Sequence, residues 1–282
     1  MSRNAVYKIS KGLTQKCVSP ADTSSRDYTE NGYFCLWTDA RVRFMRDAYE
    51  EVQFQEVLAE HVAKHISLQD TVCDCGCGLG YLALSLCRYA DRVSAADVQE
   101  LPLAALSEAA ESRGITNLDI LKEDVFRCFP AAGDARVFDD LIFSFFGQIP
   151  EILELGRISA RKKVILFRKC WKHHGLSYDE IPLSRLRFYM DCEKLDELGI
   201  PYESEIFDLD MGQPFRSLED AVEYFCTYSR DDDTSMLTEE FVRQKLIERD
   251  SEEFPLYYPM PGKVGMLVIH SESLRSMERA LL

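Results

Sequence analysis

The densest group of chemically capable residues is Val72-Cys-Asp-Cys-Gly-Cys-Gly-Leu-Gly80. Residues 71–75 are β-capable and apolar apart from Asp74, and Gly76, Gly78 and Gly80 follow at alternate positions. Glycine has no Cβ and tolerates positive φ, so main chain can approach a ligand closely there. Leu79, Leu82, Ala83, Leu86 and Cys87 then share one helical face, and the first N–H groups of that helix are open to a ligand. Two ligand chemistries compete for such a turn. Dinucleotide folds use G-x-G-x-x-G, whereas the spacing here is G-x-G-x-G with Tyr81 next. A carboxylate at residue 74 repels a pyrophosphate and suits an ammonium. That argues against a nicotinamide dinucleotide and for an amino-acid-bearing nucleoside.

Other candidates carry weaker signals. Cys73, Cys75 and Cys77 alternate, which puts Cys73 and Cys75 on one strand face. The spacing is not that of a closed metal shell, so they are expected to be buried as small hydrophobes and no metal site is assigned. Cys170, His173 and His174 follow a predicted strand; either histidine suits a general base, the competing role being a surface loop. Tyr28, Tyr33, Phe34 and Trp37 cluster ahead of the first helix, where Tyr33 and Trp37 would line a substrate chamber, hold a cationic acceptor by cation–π contact, or simply pack. Phe145 and Phe146 are expected to wall the same chamber.

The elements that position these residues alternate as in an α/β domain. A helical pattern over 38–67, with Asp39 as its cap and Phe54, Val57, Leu58 and Val62 on one face, precedes the first strand. Further strands are predicted at 92–96, 118–121, 140–143, 163–167, 202–209 and 264–270, with a helix over 101–113 stopped by Gly114 and another over 182–198 stopped by Gly199. Short apolar strands separated by helices imply a mostly parallel sheet covered on both faces. Ser217-Leu-Glu-Asp220 is a helix-start signal, and a second helix is predicted over 238–249. The expected organisation is an arm or cap over 1–54, an α/β domain over 55–210 and 263–282, and an inserted helical lid over 211–262.

Composition limits the partners. The 282 residues are 46% hydrophobic, enough for a large domain with a subdomain. The balance of 33 basic against 48 acidic residues leaves a net charge of -15, the wrong sign for displacing counterions from phosphates. A nucleic-acid substrate is therefore disfavoured and a small molecule favoured. The absence of a long apolar run or an apolar leader implies no membrane partner and a cytoplasmic location with reduced thiols. A homodimer stays open.

The segment from Val72 to Gly80 resembles motif I of the class I S-adenosylmethionine (SAM)-dependent methyltransferases, an acid followed by three alternating glycines. The resemblance covers most of 55–171 and, through strand order, 202–209 and 264–270. It implies a seven-stranded Rossmann-like sheet with SAM as cofactor and S-adenosyl-L-homocysteine (SAH) as product. It also implies that Asp74, Gly76, Cys77, Gly78 and Gly80 meet the methionine part. Asp97, seventeen residues beyond Gly80, matches the acid for the ribose hydroxyls, with Val98 beside it. Asp124 matches the acid for the adenine amino group, and the Val125 N–H would serve a ring nitrogen. Ser144 and Phe145 fall where the family's cofactor meets its acceptor. The family's Asn-Pro-Pro-Tyr type motif for nucleobase amino groups is replaced by Ser144-Phe-Phe-Gly147. The expected activity is methyl transfer to a small molecule. The alternatives are a non-catalytic SAM-binding or regulatory protein, or an aminopropyltransferase-like enzyme, whose usual extra acids after the fourth strand are missing.

Overall fold

The computed structural model describes residues 36–170, 176, 187–229 and 233–276. Residues 1–35 of the expected arm, with Tyr28, Tyr33 and Phe34, the base candidates His173 and His174, and the start of the 182–198 helix lie outside these residues. A seven-stranded sheet forms the centre, in the order β3 (Leu118–Lys122), β2 (Arg92–Asp97), β1 (Thr71–Cys75), β4 (Phe138–Ser144), β5 (Ala160–Lys169), β10 (Pro261–His270) and β6 (Tyr202–Asp210). The first five strands pair in parallel, and β10 runs antiparallel to both neighbours. The order reverses between β1 and β4, and the crevice at the carboxyl ends there is where open α/β sheets bind ligands.

Alternation along the strands builds two cores. Val72, Ile142, Ile165, Phe167 and Met266 face α1 (Asp39–Val52), α2 (Phe54–Ala63), α3 (Tyr81–Leu86) and α4 (Glu100–Ser112). Cys73, Cys75, Leu141, Phe143 and Leu166 face the side of α5 (Val125–Ala132), α6 (Ile149–Ser159), α7 (Arg187–Leu198) and α10 (Ser271–Arg275). Cys73 and Cys75 share a face with sulfurs 3.8 Å apart, both buried and reduced.

The continuous helix expected over 38–67 is two. Gln53 adopts the left-handed conformation, φ 57°, ending α1 and starting α2. No residue type there signals a break. Tertiary packing imposes it, because Phe44 of α1 must enter a third core while Phe54, Leu58 and Val62 of α2 lie on the sheet. Thr38, not Asp39, caps α1, accepting from the Arg41 N–H. The segment between β6 and β10 holds α8 (Leu218–Tyr228), α9 (Glu239–Arg243) and a small antiparallel sheet of β7 (Gln213–Phe215), β9 (Leu256–Tyr258) and β8 (Ile247–Glu248). The helix predicted over 238–249 stops at Arg243, because Ile247 and Glu248 pair with Tyr257 and Leu256. Ser217 caps α8 as its motif indicates. Phe215, Tyr224, Phe225, Leu237 and Val242 pack on Phe44, joining this segment to α1.

Candidate functional site: the glycine turn and its cavity

The chain leaves β1 and turns at once. Gly76 and Cys77 N–H donate to the Ala96 carbonyl at 2.8 and 3.0 Å, and Gly80 N–H donates to Cys77 O at 2.9 Å. Asp97, at the end of β2, accepts from Gly78 N–H at 3.0 Å and Gln99 N–H at 2.9 Å, and also from the Val98 N–H. Its carboxylate thus clamps the glycine turn, and burial raises its pKa. Gly76, Gly78 and Gly80 all have left-handed φ values, of 71°, 54° and 66°. A Cβ on Gly76 would strike the Phe146 ring, one on Gly80 would strike Leu106, and one on Gly78 would come 2.8 Å from Trp37. All three glycines therefore make room for the protein's own side chains, and Gly76 and Gly78 also line the cavity.

Asp74 is 1% exposed. Burial, and then the nearby Asp97 charge, push its pKa up to about 7. The Ala83 N–H bonds its carboxyl, while Oδ1 has no partner among the described residues. A cavity of about 660 Å³ opens in front of it, of a size typical for small-ligand sites. Of the residues expected in the site, Asp74, Gly76, Cys77, Gly78, Ser144, Phe145 and Trp37 lie on its wall. Ser144 Oγ is buried without a partner among the described residues. Phe145 is held at φ 55°, a conformation costing a non-glycine residue about 1–3 kcal/mol. Burial raises the Cys77 thiol pKa well above its usual range, so it is not a thiolate nucleophile.

The other expected residues lie elsewhere. Gly80 caps α3 against Leu106. Phe146 stacks on Phe126 and Phe143 over the opposite core, not on this wall. Asp124 caps α5 through the Phe126 N–H at 3.0 Å and pairs with Arg127 at 3.6 Å; Val125 is buried. Asp97, Val98, Asp124 and Val125 nevertheless follow β2 and β3 at the same sheet edge as the glycine turn.

Sequence reasoning missed several wall residues, including Gln55, Lys169, Gln213, Tyr224 and Tyr258. Gln55 was findable, since it shares the apolar face of Leu58, Ala59 and Val62 at helical spacing. Tyr258 and Gln213 left no local signal; the small sheet places them. Among the described residues no group of His, Cys, Asp or Glu could hold a metal ion, and no helix is long and apolar enough to cross a membrane.

Comparison with known proteins adds the fold's relatives. No protein-family model and no curated protein matches the sequence. Among solved structures, a candidate methyltransferase from Bacillus halodurans is similar with a TM-score of 0.50 at 14% identity, over 77% of this chain and 98% of its own. A SAM dependent methyltransferase from Aquifex aeolicus is similar at 0.46 and 18% identity, over 61% and 94%. An rRNA methylase from Streptococcus thermophilus is similar at 0.40 and 12% identity, over 76% and 94%. The chain has the class I SAM-dependent methyltransferase fold.

Proposed function

We propose that the cavity takes the methionine end of SAM and that the chain transfers a methyl group to a small-molecule acceptor. One observation carries this reading: a carboxylate oxygen, Asp74 Oδ1, is buried on the cavity wall with no partner among the described residues, at a turn whose glycines bring main chain alongside. A buried carboxylate with one oxygen unpaired is unfavourable, and a ligand ammonium would relieve it. Asp97 would accept from the ribose hydroxyls with the lone pairs its clamp leaves, Asp124 would accept from the adenine amine, and Val125 N–H would donate to the ring. When bound, SAM would supply an activated methyl group on a sulfonium, to be taken up by an acceptor lone pair with SAH as the leaving product.

The residues then mainly position the partners. Ser144 and Phe145 sit where acceptor and cofactor would meet. The α/β part over 55–210 and 263–282 would bind the cofactor, and the segment over 211–262 would close over the acceptor and exclude water. The proton an O–H or N–H acceptor loses would pass to water or to a base; His173 and His174 remain the candidates. The test is calorimetry with SAH beside methyl transfer from labelled SAM across a metabolite panel. Asp74→Ala should lower SAH affinity by about 10- to 100-fold, the range for a hydrogen bond to a charged group. Unchanged affinity in that variant would defeat the assignment.

A further inference from the structure

With the methionine end given to Asp74 and the glycine turn, the remaining wall is ringed by aromatic side chains. Tyr49 comes from α1, Phe54 from α2, Phe145 from the turn after β4, Tyr224 and Tyr228 from α8, and Tyr258 from β9. Flat walls suit a flat occupant, because offset and edge-to-face ring contacts stabilise beyond the area they bury. Shared with part of the cofactor, a cavity of about 660 Å³ leaves room for one or two rings.

Besides Ser144 Oγ, placed above where cofactor and acceptor would meet, the wall residue Gln55 carries a polar atom that points to a ligand. Gln55 Oε1 is buried with no partner among the described residues, on a residue 8% exposed. An amide oxygen in that position accepts a hydrogen bond or stays desolvated at a cost. Gln213, also on the wall, differs, because its Nε2 donates to the Phe44 and Pro214 carbonyls at 3.0 and 3.1 Å.

Charge separates a neutral occupant from a cationic one. Aromatic cages often hold cations, but here the protein places its own cations on these rings. The Arg41 guanidinium lies 5.3 Å from the Tyr228 centroid, and Lys169 Nζ lies 5.7 Å from the Phe145 centroid. SAM would add a sulfonium. The carboxylate on the described wall is Asp74, already assigned to the ammonium. A cationic acceptor would meet the like charge of Lys169 on the wall, with no second carboxylate on the described wall to balance it.

We infer that the acceptor is an uncharged planar aromatic molecule of one or two rings whose N–H or O–H is accepted by Gln55 Oε1, which makes Gln55 a specificity-determining residue. The inference rests on the methyl-transfer reading above. It is tested by calorimetry on the SAH-saturated protein with three probes: indole, which has an N–H donor; 1-methylindole, which lacks it; and phenyltrimethylammonium, a ring-bearing cation. Indole should bind about tenfold or more tighter than 1-methylindole. Gln55→Leu, or Gln55→Met should the first not fold, should erase that difference and leave SAH affinity as in the wild type. Equal binding of the two indoles overturns the inference, as do tighter binding of the cation, binding of no probe, or loss of SAH affinity in both Gln55 variants. Failure of the wild type to bind SAH overturns the methyl-transfer reading and this inference together.

Discussion

The carboxylate of Asp74 has to be ionised to hold an ammonium, yet burial and the Asp97 charge push its pKa up to about 7. The sign follows directly. Below pH 7 the ligand-free protein is mostly protonated at Asp74, and binding a cation must first expel that proton. SAH affinity should therefore rise about tenfold from pH 6 to pH 8 and level off above. Calorimetry across that range checks it; a flat profile with tight binding would detach the ligand from Asp74. Asp140 is a second raised carboxyl, wholly buried, with burial first and Asp70 second pushing its pKa up to about 7. The folded state then binds more protons than the unfolded state between about pH 4 and 7, so this residue's contribution weakens as pH rises through that window. Asp140→Asn should stabilise the protein by about 2 kcal/mol at pH 8 and by less at pH 6, read by urea unfolding. Both residues were visible as acids in the sequence, but their protonation was not. It depends on what the fold packs around them.

At the scale of the element, the turn after β4 shows how packing supports a site. Arg168 of β5 is 3% exposed and donates from Nη1 to the Phe146 carbonyl at 3.0 Å and from Nη2 to the Gly147 carbonyl at 3.2 Å. Its Nε meets Asp191 of α7 at 2.6 Å. The guanidinium thus ties α7 to the turn that holds Phe145 in its strained conformation. Removing one member of a buried ion pair leaves the other uncompensated, which costs about 3–5 kcal/mol. Asp191→Ala should lose that much stability in urea unfolding, and the double variant Arg168→Met/Asp191→Leu should lose less. A loss below about 1 kcal/mol in Asp191→Ala would show that the pair is not holding the turn.

Across the whole molecule, the segment between β6 and β10 is fastened to α1 by the Phe44 core and by ion pairs. Arg216 pairs with Asp47, and Arg43 pairs with Asp220 and Glu223. Its Met211, Gln213, Tyr224, Tyr228 and Tyr258 line the cavity. With a net charge of -15, the protein should not bind transfer RNA at physiological salt. Anisotropy of a labelled RNA should stay flat up to about 10 µM protein, where non-specific nucleic-acid binders already respond. Low-micromolar binding would move the acceptor from small molecules to RNA.

The acid-and-glycine run, the strand–helix alternation and the Ser217 cap were legible because each is a local pattern: spacing along one chain sets which face a side chain takes and where a turn needs glycine. The break at Gln53, the pairing of Ile247 and Glu248 with β9, and the turning of Phe146 into the opposite core were not, since each depends on residues far away in sequence. The same holds for chemistry. Sequence alone determined that a carboxylate stands before a glycine turn at a sheet edge. Only the tertiary structure decided that this carboxyl is buried and raised in pKa, that Asp97 clamps the turn, and that Gln55 joins the aromatic rings on one wall, because burial and partners come from packing between distant segments.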